Sequence, residues 1–250
     1  MTRAVVLAAV ALAAVGPAER RVAAQPPAES REVRQLVTFR FLPGQTRAAL
    51  DVYRTGILPI YRGVESMRTV RLLGEVESPE PLDLMVVTHY ADMAGMDRAN
   101  QALRALPPDG PTIGQLYQQV SDLSLGHHDQ FVEVLSPPVS AGTPDGLLEV
   151  LEFLRVAPGS QSAFERQMLQ IVHPWEEDQA TRQLVPRTET GRFLLADGWD
   201  YLRTYGVRDL AAWQAYSTAR ARHPAVWAAS RLVEQRKTMI LRELPDMRVR

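Results

Sequence analysis

Two stretches of this sequence echo one another at a fixed distance, and that spacing limits the fold more than any other property of the chain. From Gln35 it reads QLVTFRFLPGQTRAALDVYRTGILPIY, and from Leu147 LLEVLEFLRVAPGSQSAFERQMLQIVHPW. Pro43-Gly44 and Pro59 precede Pro158-Gly159 and Pro174 by the same 115 residues, and Tyr90 precedes Tyr205 by that distance too. An unchanged offset across three landmarks implies one strand-turn-helix-strand unit used twice.

Reading the chain in order fills in the unit. Residues 36–42 alternate, with Val37, Phe39 and Phe41 on one face and Thr38 and Arg40 on the other, so they read as a strand. Ala49, Tyr53 and Ile60 then recur at helical spacing, and Pro59 is expected to kink or stop that helix. Residues 69–76 and 82–90 read as strands joined by a proline turn, Asp92 as the cap of a helix, 112–123 as a further helix and 131–135 as a strand. The order βαββαβ is that of a ferredoxin-like unit. The second copy repeats it: a strand at 147–156, a helix whose stripe is Phe164, Met168, Ile171 and Trp175, strands at 181–190 and 192–205 around Thr190-Gly191, helices after Asp209 and Pro224, and a strand at 238–244. The expected class is therefore α+β: two tandem units at 35–135 and 147–250, separated by a polar, proline-rich linker at 136–146. Each has helices on one sheet face only, and the other copy is available to cover the second face.

Composition narrows the function. With 28 basic and 29 acidic residues the formal charge is −1, which gives no electrostatic footprint for nucleic acid or an anionic membrane. There is no cysteine, so disulfides, thiolate nucleophiles and cysteine-ligated metals are excluded. Residues 1–24 read as a signal peptide, with Arg3 before a short apolar run and Val22-Ala23-Ala24 as a cleavage site; an uncleaved N-terminal anchor is the alternative. Residues 25–34 form a flexible lead-in. Removal of the leader takes three arginines and one glutamate, leaving −3 on a periplasmic or secreted protein with no stable membrane span.

The order of Pro-Gly turn, helix closing on proline, Trp199-Asp200-Tyr201 and Pro224-Ala225-Val226-Trp227 resembles NIPSNAP-like domains of the dimeric α/β-barrel superfamily. That superfamily also holds antibiotic-biosynthesis-type monooxygenases and chlorite-dismutase-like haem proteins. The resemblance implies two sheets closing into a barrel, here within one chain, with homodimer formation open. It assigns no reaction: a small-molecule-binding protein and a monooxygenase-like or haem-dependent redox enzyme are the two readings it leaves.

If helices cover the Val37 face, the barrel interior receives Thr38, Arg40, Phe153 and Arg155. The same parity groups Leu84, Val86, Thr88 and Tyr90 in the first copy, and Trp199, Tyr201, Arg203 and Tyr205 in the second. A pocket near the second copy, with Arg155 and Arg203 facing an anionic or aromatic ligand and Phe153, Trp199, Tyr201 and Tyr205 as walls, is the expected ligand site. The alternative is that the aromatics fill the core and the arginines pair with Glu149, Glu152 or Asp200. His173, beside Pro174 and one turn before Glu177, is either a haem or metal ligand or a helix-end cation. No cofactor is otherwise expected. Adjacent His127 and His128, in a strand-like backbone, should point to opposite sides and so not share a metal. No phosphate-binding glycine loop, zinc motif or nucleophile elbow is present.

Overall fold

The computed structural model describes residues 31–105, 110–136, 146–178, 183–195 and 198–249. The leader and most of the linker expected at 136–146 lie outside them. Eight antiparallel strands close into one barrel in the order β1-β3-β2-β8-β5-β7-β6-β4. They are β1 (Val33–Phe41), β2 (Met67–Glu77), β3 (Leu84–Tyr90), β4 (Ser124–Val134), β5 (Leu148–Val156), β6 (Arg187–Leu195), β7 (Tyr201–Val207) and β8 (Val233–Val249). Four neighbours come from each half: β4-β1-β3-β2 and β8-β5-β7-β6. The seams are β2 with β8 and β4 with β6, so the sheet has no free edge.

Helices pack on the outside. In the first half these are α1 (Thr46–Val52), α2 (Leu58–Arg62), α3 (Met93–Ala105) and α4 (Ile113–Asp122). In the second they are α5 (Gln161–Gln167), α6 (His173–Glu176), α7 (Leu210–Arg222) and α8 (Pro224–Ser230). Thr112 caps α4 in a reciprocal box with Gln115, and Asp209 caps α7 by accepting from the Ala212 amide at 2.7 Å. Pro59 and Pro174 neither stop nor break their helices. Each is preceded by a π turn, Tyr53–Ile57 and Met168–Val172, in which the Leu58 amide bonds Tyr53 O and the His173 amide bonds Met168 O. The wider turn lets the helix continue through a residue that has no N–H to give and would otherwise crowd the preceding carbonyl.

Several strands exceed their expected lengths. β1 begins two residues before the expected unit boundary, because Val33 pairs with both Tyr90 and Glu133. Thr190-Gly191 is no turn: both lie inside β6, where it presses so closely on β4 that a Cβ on residue 191 would overlap the Val132 side chain. β8 reaches Val249 because it pairs first with β5 and then with β2. The register shifts on the β2 seam between Glu243 and Arg248, near Asp246 with φ of 58°.

The barrel interior is layered. Leu36, Leu73, Met85, Val87, Leu151, Leu202 and Leu241 form its apolar middle. At one end a buried polar layer pairs Arg34 with Glu189, and both Arg71 and Arg187 with Glu149. His89 lies there too, its Nδ1 3.2 Å from Glu32 Oε1. At the other end is an open mouth.

Candidate functional site

Parity places the expected site residues, and it divides them. Val37, Phe39 and Phe41 are covered by helices as expected. Their cross-strand partners share that face: Val37 pairs with Val86 and Phe39 with Leu84, so Leu84, Val86 and Tyr90 also lie under the helices and not in the barrel. The second half follows the same rule. Tyr201 packs on Phe164 beneath α5, and Tyr205 lies in the cluster with Val150 and Tyr216. Arg203 lies between them on the same strand, fully buried, with its Nη2 2.5 Å from Glu176 Oε2.

Phe153 and Trp199 do face the barrel, at its open mouth, with ring centroids 6.0 Å apart. Trp199 precedes β7 in a loop whose Asp200 accepts from the Val156 amide, so the strand's alternation does not reach it. Arg155 donates from Nε to Gly198 O at 2.6 Å. Gly198 has φ of +81°, and a Cβ there would overlap the Arg155 guanidinium. The six residues therefore do not share a cavity, and Arg155 and Arg203 do not converge on one anion. Among the described residues none of the three pairings considered for these arginines forms an ion pair: Arg203 takes Glu176, Asp200 accepts from the Val156 amide, and Glu149 and Glu152 are held by Arg71 with Arg187, and by Arg220 with Tyr205.

The space between sheet and helices in the second half is filled. Glu176 accepts from Tyr216 as well as Arg203, and Glu152 accepts from Arg220 at 2.7 Å and from Tyr205 at 2.9 Å. Burial alone would raise the Glu152 carboxyl, but Arg220 and Arg236 hold it below the ordinary range. His173 is buried at this layer's edge, its Nε2 3.7 Å from Glu177 Oε1 and its Nδ1 without a partner among the described residues. Burial lowers its pKa. One unpartnered imidazole nitrogen is present, but the layer beside it is packed with Arg203, Met168, Tyr205 and Tyr216. A porphyrin does not fit these residues. Among the described residues no group of three or more His, Asp or Glu is placed to hold a metal ion.

The corresponding space in the first half is hollow. A chamber of about 250 Å3 lies between β1, β3 and β4 and the helices. Val37, Phe39, Val86, Leu103 and Val120 give it apolar walls, and Tyr53, Tyr61, Tyr90 and Tyr117 bring four phenols to it. The sequence positions that make it are legible in hindsight: the π turn presents Tyr53 and Ile57, α2 presents Tyr61, and β3 presents Tyr90. Tyr61 and Tyr117 hydroxyls lie 2.6 Å apart. Burial pushes all four phenols above their ordinary pKa, so each is a neutral hydroxyl at neutral pH.

A connected chain of polar groups runs along one wall. Tyr90 donates to Gln35 Oε1 at 3.2 Å, and Gln35 donates from Nε2 to Asp129 Oδ1 at 2.8 Å. Asp129 Oδ2 lies 3.4 Å from His127 Nε2, and the His127 ring stacks on Phe39 at 5.6 Å. His127 and Asp129 are two apart on β4 and so share a face, while His128 turns to the barrel mouth. Opposite orientation of the two histidines was expected. Pairing of His127 with Asp129 and Gln35 was the signal missed, because only strand register brings β1 and β4 together here.

No protein family matches this chain by sequence, and no curated protein does. Solved structures do resemble it. A candidate monooxygenase from Fusobacterium nucleatum superposes with a TM-score of 0.60 at 10% identity, covering 87% of this chain and 94% of that one. An anthrone oxidase-like protein gives 0.57 at 10%, covering 86% and 92%. A mutant chlorite dismutase from Candidatus Nitrospira defluvii gives 0.54 at 13%, covering 88% and 94%. At such identities the likeness is one of fold: the chain is an α+β protein with the closed eight-stranded barrel of the dimeric α/β-barrel type.

Proposed function

We propose that the chain binds a small planar phenol or enol in the first-half chamber and removes its proton, in the manner of an oxygenase or oxidase that needs no cofactor of its own. The observation that carries this reading is the Tyr90–Gln35–Asp129–His127 chain on the wall of an apolar cavity. An apolar chamber with a few converging polar groups is the usual form of a ligand site. A cavity of about 150 Å3 accepts benzene, so this one suits a ligand of one or two rings. With its Nε2 turned to a carboxylate, His127 has its other ring nitrogen as the proton acceptor of this reading. The Tyr61–Tyr117 pair offers neutral hydroxyls to the resulting oxyanion. The anthrone oxidase-like neighbour fits this chemistry, since an anthrone is the keto tautomer of a phenol and yields an aryl oxyanion on losing a proton.

Kinship to NIPSNAP-like proteins, duplication of a ferredoxin-like unit and export through residues 1–24 belong to the same reading. Their support is the motif order of the second copy, the strand order occurring twice, the two π turns at the same offset, and the composition of the leader.

Titration with 2-naphthol tests the site. Saturable binding is expected, with growth of the naphtholate absorption band at a pH where free naphthol is neutral. His127→Gln should keep the binding and lose the band, while Val86→Trp, which fills the chamber, should lose both. Binding unaffected by Val86→Trp, or a naphtholate band that survives in His127→Gln, overturns the proposal.

A further inference from the structure

We propose that the open mouth of the barrel is a separate binding site, for a planar aromatic carboxylate. A cavity of about 580 Å3 occupies this end, a size ordinary for a small-molecule site. Its floor is aromatic: Phe153 stacks on Phe193 at 5.7 Å and meets Trp199 edge-on at 6.0 Å. Such a platform takes a flat ring by offset or edge contact.

Two cations stand at the rim. Arg40 is exposed, lines the cavity and has no ion pair among the described residues. Lys237, the only lysine in the sequence, lies with its ammonium 5.6 Å from the Phe153 ring centroid and is paired with Glu80 on the β2–β3 turn. The lining contains no other carboxylate than Glu80, so the field at the rim favours an anion. A carboxylate held by the Arg40 fork, with its ring over Phe153 and Trp199, satisfies both the charge and the apolar floor. The mouth and the first-half chamber meet only at Phe39, which borders both; otherwise β1 parts Thr38 and Arg40, at the mouth, from Gln35 and Val37, in the chamber.

The single lysine supplies the test. Reductive methylation of the whole protein, followed by peptide mass analysis, reads the accessibility of Lys237 with no other lysine side chain competing. With 2-naphthoate present, Lys237 labelling should slow about tenfold at saturation, while the neutral analogue 2-naphthalenemethanol should leave it unchanged. Arg40→Gln should weaken naphthoate protection about tenfold, the worth of one hydrogen bond to a charged group, and Trp199→Leu should weaken it too. Tyr61→Phe, in the other cavity, should not. Equal protection by the neutral analogue, no saturable protection, or unchanged affinity in Arg40→Gln overturns the assignment.

Discussion

The same place in the two halves of this barrel holds opposite things. Where the first half has Thr88, Tyr61 and Val37 around a chamber, the second has Arg203, Glu176 and Glu152, each 115 residues further on, locked in a buried layer of ion pairs. The backbones are alike: both halves have the π turn and the proline at the same offset. The third strand sits two residues differently against the first, with Val37 facing Val86 where Glu152 faces Arg203, but an even shift keeps the same side chains on the helix side. Three side chains therefore decide whether a sheet–helix gap is a site or a core. A buried guanidinium demands a carboxylate, and the pair then recruits hydroxyls: Tyr216 takes the Glu176 oxygen that Arg203 leaves, and Tyr205 shares Glu152 Oε2 with Arg220.

Breaking that contrast should cost most on the filled side. Arg203→Ala leaves Glu176 at zero exposure with no cation, held only by the Tyr216 hydroxyl; unfolding in urea should show a loss of about 3–5 kcal/mol. Adding Glu176→Tyr to Arg203→Thr, which copies the first half, should recover most of it. If the double variant is as unstable as the single, the pair is not what the layer is built on. Conversely, Thr88→Arg places an unpaired guanidinium in the chamber, costing on the order of 3 kcal/mol and ending 2-naphthol binding; Tyr61→Glu should restore stability but not binding. Tyr61→Phe, which removes one hydroxyl from the Tyr61–Tyr117 pair, should cost only about 1 kcal/mol and weaken the phenol. The smallest effect near neutral pH, one that grows as the solution is acidified, concerns the polar barrel layer. Burial and the nearby Arg34 hold His89 at about 3 against an ordinary 6.5. Its folded value is depressed, so its share of stability is complete above 6.5 and is lost as pH falls toward 3. Burial alone would raise Glu32, but its hydrogen bond with His89 and the Arg34 charge bring it down to about 2. Its share is lost at lower pH, from about 4.5 downward. Melting temperature against pH should therefore begin to fall near pH 6.5, and His89→Gln should remove that first part of the slope.

Much of the architecture was readable before any coordinates. Alternation in β1 separated Val37, Phe39 and Phe41 from Thr38 and Arg40, and the structure has helices over the first set and the barrel mouth at the second. The third strands went astray because alternation gives two faces without saying which is inside; only the pairing of Val37 with Val86 settles it. That one choice put Tyr201, Arg203 and Tyr205 in the barrel, where the structure has them under the helices. Arg203 looks free in sequence because Glu176 lies on a different element, and His127 looks idle because Gln35 and Asp129 meet only across a strand pair. Trp199 was assigned to the barrel for a reason that does not apply, since it lies before its strand begins.

The long final strand has a consequence for how the molecule comes into being. β8 serves β5 with its first part and β2 with its last, so residue 70 finds its partner only in residue 249. A chain made from its N-terminus can assemble the β4-β1-β3-β2 ribbon early, yet β2 stays a bare outer strand until β8 has been made. Closure is thus the latest event of folding and the one with the longest loop to shut. Until then β2 is an open edge, and the stretch of β8 from Ile240 to Val249 is what covers it.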